Sequence, residues 1–193
     1  MQAITKDDLL PLEQYEQQRK EIQQRIKAHK AGRRLDLDDH ISMFFEDRDT
    51  MWYQVQEMAR AERLFKPEEL DDELAVYNPL IPDGRNLKGT LMIQYDDREE
   101  RQARLAEMVG IEDRVWIQVD GHDKVYAIAD EDLDRSTTDK TSTVHFMRFE
   151  LGDERVRAWK DGAQVRMGSD HDQRPLDVEL PADLHDELAG DFD

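Results

Sequence analysis

The chain of 193 residues has no cysteine. Structural disulfides, thiolate catalysis, zinc fingers and cysteine-ligated iron–sulfur clusters are therefore excluded for it. It also lacks a long apolar run, since no stretch approaches the roughly 20 residues needed to cross a bilayer. The opening residues, MQAITKDDLL, do not show the basic-then-apolar order of a secretory signal. These absences predict a cytoplasmic protein with no membrane partner.

Positive charge is scarce. The chain has 27 Lys and Arg residues against 46 Asp and Glu residues, which gives a net charge of -19 at pH 7 and an isoelectric point near 4.6. A field of that sign repels nucleic acid and anionic membranes, so neither is expected as a partner. Two interpretations of the charge stay open. It can serve solubility, as in proteins of salt-tolerant hosts, or it can meet a cationic partner or a protein with a basic docking face.

Apolar residues make up only 38% of the chain, but they recur at regular spacing. Helical spacing dominates as far as Tyr77, and strand-like alternation dominates beyond it. This pattern predicts a single α+β domain over residues 1–193, with a mostly antiparallel sheet in the C-terminal two-thirds and N-terminal helices packed against it. Residues 1–32 are the helical N-terminal segment. Residues 172–193 form an acidic tail whose end is expected to fray.

Four segments carry more specific predictions. In the helix expected over residues 11–31, Arg19 interrupts the apolar stripe, so the surface it packs on should carry a carboxylate. Residues 114–119 and 124–129 flank a turn and predict a hairpin. The polar residues 130–142 predict a mobile loop. Residues 142–151 are apolar on both sides, which is typical of a central strand.

Residues 40–65 contain the most informative position. They predict a strand, an acidic cap and a helix that starts near Thr50. At about 100° per residue, Glu62 falls inside an apolar stripe; the stripe consists of Met51, Val55, Met58 and Phe65, widened by Trp52 and Ala59. Burying a carboxylate without a partner costs several kcal/mol. Glu62 is therefore expected to be half of a buried ion pair, with Arg19, Arg148 or Arg166, or to act as a metal ligand or general base.

A metal site is the second candidate feature. His145 should be buried in the central strand, where a lone histidine is usually a neutral, hydrogen-bonded core residue. If Glu62, His145, Glu46 and His40 converge, they form a mixed His/carboxylate site for iron, manganese or zinc. The chain has neither a Glu-x-x-His pair nor a His-Glu-x-x-His helix, so spacing alone predicts no cofactor.

Other motifs are weaker. The turns at residues 120–123 and 170–172 each place a histidine beside acids; they could bind a metal if they meet, but solvated turns are the favoured interpretation. The chain shows no glycine pattern for cradling phosphate and no serine in a nucleophile-elbow context. Whether the protein is an enzyme stays open.

Several blocks of the sequence resemble an uncharacterised family of bacterial domains of unknown function: ITKDDLLPLEQYEQQR, FFEDRDTMWYQVQEMARAER, YNPLIPDGRNLKGTLMIQY, GIEDRVWIQVDGHDKVYAIADEDLDR and TSTVHFMRFEL. The match runs to about His171, and the order of the blocks is its specific part. Genes of that family often lie beside those of a rubrerythrin-like protein and an iron–sulfur protein related to heterodisulfide reductases. The resemblance therefore implies a role near peroxide or redox metabolism, and it supplies no catalytic residue.

Two main functions follow as expectations. The first is an accessory protein of a redox or peroxide-stress system that binds a redox partner through its acidic surface. The second is a small metalloprotein or metalloenzyme that uses Glu62 and a histidine. A purely structural oligomeric protein is the third, although the sequence does not give an oligomeric state. Metal analysis and salt-sensitive co-purification separate the first two.

Overall fold

The computed structural model describes residues 1–64, 66–131 and 135–193, with backbone alone at Pro67. These residues form six α-helices: α1 (Leu12–Gly32), α2 (Arg48–Glu62), α3 (Pro67–Tyr77), α4 (Arg98–Glu107), α5 (Gly152–Lys160) and α6 (Ala182–Ala189). They also form nine β-strands: β1 (Arg34–Asp36), β2 (Ile41–Glu46), β3 (Asn86–Ile93), β4 (Val115–Val119), β5 (Val125–Tyr126), β6 (Ile128–Ala129), β7 (Val144–Glu150), β8 (Val165–His171) and β9 (Arg174–Glu179). The predicted α+β class is confirmed.

The strands form two antiparallel sheets instead of the single sheet that the pattern suggested. The first has the order β1-β2-β3-β7-β6, and the second has the order β5-β4-β8-β9. One continuous cluster of buried side chains joins the two sheets to α4, α5 and α6. Within the first sheet, residues of alternating position face this core, among them Met43 and Phe45 on β2 and Met147 and Phe149 on β7. The opposite, outer face of that sheet positions the candidate site.

The predicted hairpin over residues 114–129 is only half formed. β4 and β5 pair as expected, with Trp116 opposite Tyr126. The chain then leaves the second sheet, and β6 pairs with β7 in the first, with Ala129 opposite Met147. The alternation of apolar residues continues through Ala127 without a break, so the sequence carries no sign of the crossing from one sheet to the other.

The helix pair at the N-terminus meets one prediction directly. Arg19 on α1 donates two hydrogen bonds to the carboxylate of Glu57 on α2, both of 2.8 Å. Tyr15 donates its hydroxyl to the same carboxylate at 2.6 Å. The expected carboxylate partner for Arg19 is therefore present, although it is Glu57 and not Glu62.

The C-terminal residues pack against the domain, and the expected frayed end is wrong. Leu184 and Leu188 of α6 are buried. Phe192 is only 6% exposed, and its ring lies edge-on to Trp159 with the centroids 5.3 Å apart. Arg33 binds the buried carboxylate of Asp191. Apolar residues spaced along the acidic tail, together with one buried arginine, hold the tail in place.

The polar segment at residues 130–142 was expected to be mobile. Residues 132–134 of that segment lie outside the described part of the chain. Its two ends carry side chains that bind the core, as described below. In the described ranges, no helix is both long enough and apolar enough to cross a bilayer.

Candidate binding cleft and the predicted metal ligands

Glu62 is exposed, so the central expectation for that residue is wrong. The buried stripe of α2 is formed by Met51, Val55 and Ala59 and ends one turn earlier. Glu62 is the last residue of the helix, and Arg63 follows it in the left-handed region at φ 55°. The predicted continuation of the stripe at Phe65 lies outside the described residues. Because α2 ends at Glu62, this side chain lies beyond the packed part of the stripe and faces solvent, although it falls on the same helical face.

The other predicted ligands lie in separate environments. His40 stacks on Tyr95 with the ring centroids 4.0 Å apart. Glu46 is at the opposite end of β2, about 20 Å from His40 at about 3.3 Å per residue. His145 lies on β7, opposite Leu91. Across the described ranges, no group of three or more His, Asp or Glu side chains is arranged to hold a metal ion.

His145 is fully buried, as the sequence predicts for a histidine on a central strand. Its Nδ1 lies 2.6 Å from Asp130 Oδ2, and its Nε2 lies 2.8 Å from Thr141 Oγ1. Glu112 Oε2 in turn lies 3.1 Å from that hydroxyl. Both ring nitrogens are therefore satisfied by side chains from the two ends of the polar segment, and Glu112, in the turn after α4, binds the hydroxyl of Thr141.

The order carboxylate, imidazole, hydroxyl is that of a nucleophile-activating triad. Here, however, the hydroxyl of Thr141 belongs to a residue that is only 2% exposed. Asp130 also adopts the left-handed region at φ 49° and accepts a 3.0 Å hydrogen bond from the backbone N–H of Phe146. The buried hydrogen bonds of Asp130, Thr141 and His145 hold the polar segment against β7. The sequence pattern does not reveal this group, because Asp130 is 15 residues from His145 along the chain.

The two histidine-containing turns bind other groups. Asp170 accepts hydrogen bonds from the Trp116 indole at 3.0 Å, the Tyr126 hydroxyl at 2.6 Å and the Lys124 ammonium at 2.9 Å. The Tyr126 hydrogen bond is the largest cause of the lowered pKa of Asp170. His171 Nε2 lies 3.1 Å from the backbone oxygen of Val109. The second turn is thus anchored to the sheet, while Asp170 and Asp172 stay exposed to solvent.

A cleft lies between the outer face of the first sheet and α3, and we call it the α3 cleft. Its volume is about 530 Å³, within the range of small-molecule sites. Its apolar walls come from α3, the turn after it, β6 and β7: Ala75, Val76, Pro79, Leu80, Ile128 and Phe146. Its charged lining is Glu46, Lys88, Glu131 and Arg148. Val76 and Ile128 are 62% and 42% exposed, so the rim of the cleft is apolar.

The charged groups of the α3 cleft differ in how far they are neutralised. Arg148 is held by Glu131, through Nε and Nη2 at 2.8 Å each, and by Glu150. Lys88 donates its ammonium to the backbone oxygen of Pro79, and burial lowers the pKa of that ammonium. Glu46 is 9% exposed and accepts a 2.7 Å hydrogen bond from Thr90 Oγ1. Among the described residues, no Lys, Arg or His nitrogen lies within 4.0 Å of the Glu46 carboxylate.

A second surface borders the cleft, and we call it the acidic corner: Glu62, Asp72 and Glu73, at the junction of α2 and α3. The pKa of Glu73 is raised, first by burial and then by the negative charges of Glu62 and Asp72. Within the described part of the chain, no Lys or Arg nitrogen lies within 4.0 Å of these three carboxylates. Val76 follows one turn later on α3, so an exposed apolar side chain adjoins uncompensated negative charge.

Comparison with other proteins agrees with this fold. No curated protein matches the chain. A crystal structure of a novel protein of unknown function from Burkholderia pseudomallei is 46% identical in sequence, covers 100% of both chains and superposes with a TM-score of 0.93. The model of the family described as "Protein of unknown function (DUF3501)" matches residues 3–192, and the chain therefore belongs to that family.

Proposed function

We propose that the protein is an accessory protein of a redox or peroxide-stress system, and that it binds a redox partner protein through the acidic corner. The supporting observation is the convergence of Glu62, Asp72 and Glu73 without a neighbouring cation. Burial is the first cause of the raised pKa of Glu73, and repulsion by the negative charges of Glu62 and Asp72 raises it further. A cationic group on a partner relieves this repulsion, so the corner favours a basic docking face.

The acidic corner also has the anatomy of an interaction surface. Val76, at 62% exposure, is the most exposed large apolar side chain in the described part of the chain. An apolar centre with a charged rim is the usual composition of a protein–protein contact. The rim charges act mainly on the rate and orientation of association, because the net charge of -19 attracts a basic partner from a distance. Binding should therefore weaken as salt screens the field.

The identity of the partner comes from the sequence resemblance. Genes of the resembling family often adjoin those of a rubrerythrin-like protein and a heterodisulfide-reductase-related iron–sulfur protein. We take these two as the candidate partners. The chain has no cysteine to carry an iron–sulfur cluster or a thiol relay itself, which suits an accessory role beside a protein that carries the redox centre.

The test is co-purification of the tagged protein from a native host extract. The triple variant Glu62→Gln, Asp72→Asn, Glu73→Gln removes the corner charges. The control variant Asp96→Asn, Glu99→Gln, Asp113→Asn removes three other exposed carboxylates and reaches the same net charge. We expect the wild type and the control to retain a rubrerythrin-like or iron–sulfur protein at low salt, and the corner variant to lose it.

Equal retention by both variants would contradict the assignment of the corner, and no retention by the wild type would contradict the accessory role. Metal analysis of the purified protein is the companion measurement. Stoichiometric iron, manganese or zinc would favour the metalloprotein alternative, with a mixed His/carboxylate site, over the accessory role.

A further inference from the structure

The α3 cleft holds two opposite charges that do not neutralise each other. Glu46 on β2 is directly opposite Lys88 on β3. Side chains that are opposite each other in an antiparallel pair project from the same face with Cβ atoms about 5 Å apart, and opposite charges so placed normally attract. Lys88 instead donates to the backbone oxygen of Pro79, on the α3 side of the cleft. Among the described residues, Thr90 is the sole hydrogen-bond donor to the Glu46 carboxylate.

Both groups keep unused hydrogen-bonding capacity toward the cleft. A carboxylate has about four acceptor positions and an ammonium has three donors. Glu46 uses one acceptor position, and Lys88 uses one donor. Glu46 is withdrawn from water at 9% exposure, and Lys88 is half-buried, which lowers the pKa of its ammonium. A charge with little hydration and few protein partners gains most from a ligand group of opposite sign.

The remaining charges of the cleft pair with one another. Glu131 and Glu150 both bind Arg148, so it offers no free cation, and the two carboxylates leave one excess negative charge beside it. The other walls are apolar, with Ile128 and Phe146 on the sheet side and Val76 and Leu80 on the α3 side. Among the described charged residues of the lining, Glu46 and Lys88 are thus the two that form no ion pair, and they border an apolar chamber of about 530 Å³.

From this juxtaposition we propose that the α3 cleft binds a small zwitterion with an apolar side chain, of the class of free α-amino acids such as leucine or phenylalanine. Glu46 accepts hydrogen bonds from the ligand ammonium, and Lys88 donates to the ligand carboxylate. The apolar side chain lies between Phe146 and Ile128 on one side and Val76 on the other. This site shares Val76 with the proposed docking surface, but its recognition charges are Glu46 and Lys88, so the inference does not rest on partner docking.

The test is calorimetric titration of the full-length protein with leucine and phenylalanine. Three analogues each remove one recognition element: isopentylamine lacks the carboxylate, 4-methylpentanoate lacks the ammonium, and glycine lacks the side chain. A hydrogen bond to a charged group contributes enough that its loss weakens binding about 10-fold or more. We expect each analogue to bind at least that much more weakly than leucine.

Variants then assign the two charges. Glu46→Gln keeps the Thr90 hydrogen bond and the side-chain shape, and it should bring the affinity for leucine down to that for 4-methylpentanoate. Lys88→Met should bring it down to that for isopentylamine. Glu99→Gln, on the exposed side of α4, is the matched control and should bind leucine like the wild type. Thermal unfolding of each variant confirms that the fold is intact.

Three results would overturn the proposal. The first is the absence of both binding heat and a thermal shift with either amino acid at concentrations up to about 10 mM, with the amino acid in at least about 10-fold molar excess. The second is an affinity for isopentylamine equal to that for leucine. The third is leucine binding that neither Glu46→Gln nor Lys88→Met changes. The acidic-corner variant should bind leucine normally. A failure of the amino-acid site and a failure of partner docking are thus distinguishable.

Discussion

The sharpest prediction about stability concerns Arg33, which is a buried charge, whereas Glu62 is exposed. Arg33 is 2% exposed and lies between β2 and the C-terminal residues. Its guanidinium donates to the Phe45 carbonyl at 3.1 Å and to Asp191 through both terminal nitrogens. It also lies 3.5 Å from the buried carboxylate of Asp47. One side chain thus connects the first sheet to the end of the chain.

The expected loss of stability in Arg33→Met comes from the buried carboxylate that the change leaves without a cationic partner. Methionine replaces much of the aliphatic volume, but it leaves Asp191, 5% exposed, without a described cationic partner. Breaking a buried ion pair by removing one member costs about 3–5 kcal/mol. Asp47 keeps His29 at 2.6 Å and the backbone of Thr50, so it adds little. We therefore expect a loss of about 4 kcal/mol, a large part of the roughly 5–15 kcal/mol that stabilises a domain.

The assay is urea unfolding, with free energies compared in a double-mutant cycle. Arg33→Met with Asp191→Leu removes the stranded charge, so the pair should recover about 2 kcal/mol relative to Arg33→Met alone. Asp191→Leu alone leaves Arg33 with Asp47 and Glu187, and should cost about 1–2 kcal/mol. Arg166→Met, which breaks an exposed pair with Asp177, is the control and should cost less than about 1 kcal/mol. A cost below about 1 kcal/mol for Arg33→Met, or strict additivity in the cycle, would refute the reasoning.

Three further predictions use the same unfolding assay. Gly168→Ala should cost about 3 kcal/mol or more, because a Cβ there would lie 2.0 Å from the Leu176 carbonyl oxygen. Gly32→Ala is the control, because a Cβ at that position would have no neighbour within 4 Å. Equal effects of the two changes would contradict the close approach of β8 and β9. The hydrogen bonds from Arg19, first, and from Tyr15 lower the pKa of Glu57 below its ordinary 4.5. The stabilisation from Glu57 is therefore full above pH 4.5 and is lost as the pH falls through the folded-state pKa. The difference in unfolding free energy between wild type and Glu57→Gln should accordingly disappear in acid. A gap that is constant with pH would contradict the Glu57 assignment. His145→Leu should cost about 2 kcal/mol, because it removes the imidazole's hydrogen bonds to Asp130 and Thr141, while Asp130 keeps Arg135 and Thr141 keeps Glu112. A cost within about 0.5 kcal/mol would contradict a stabilising role for this buried group.

Local pattern predicted most of the elements. Helical spacing and an acidic cap located α1 and α2, and Arg19 correctly implied a carboxylate on the facing helix, because an arginine in an apolar stripe has few alternatives. The same logic failed at Glu62. It assumed that the helix continues beyond Ala59 into the core, whereas the turn at Arg63 ends it. Periodicity describes a face, and it does not say where the packed part of that face stops.

The candidate sites depend on long-range pairing that no local pattern encodes. Glu46 and Lys88 lie opposite each other because of the register in which β2 and β3 pair. His145 lies beside Asp130 because the chain leaves the second sheet before β6, which pairs with β7. Burial of His145 could be foreseen from the two-sided apolar character of its strand. Its partners could not, since an acid in a polar segment looks the same whether it faces solvent or a buried imidazole.

The acidic corner is the central claim, and the salt dependence of partner affinity tests it most directly. The dissociation constant of the co-purified partner should be measured at about 50 and 300 mM salt for the wild type, the acidic-corner variant and the control variant. We expect the wild type and the control to weaken steeply with salt, and the corner variant to bind about 10-fold or more weakly at low salt with a flatter dependence. Identical constants and identical salt slopes for all three proteins would contradict the account.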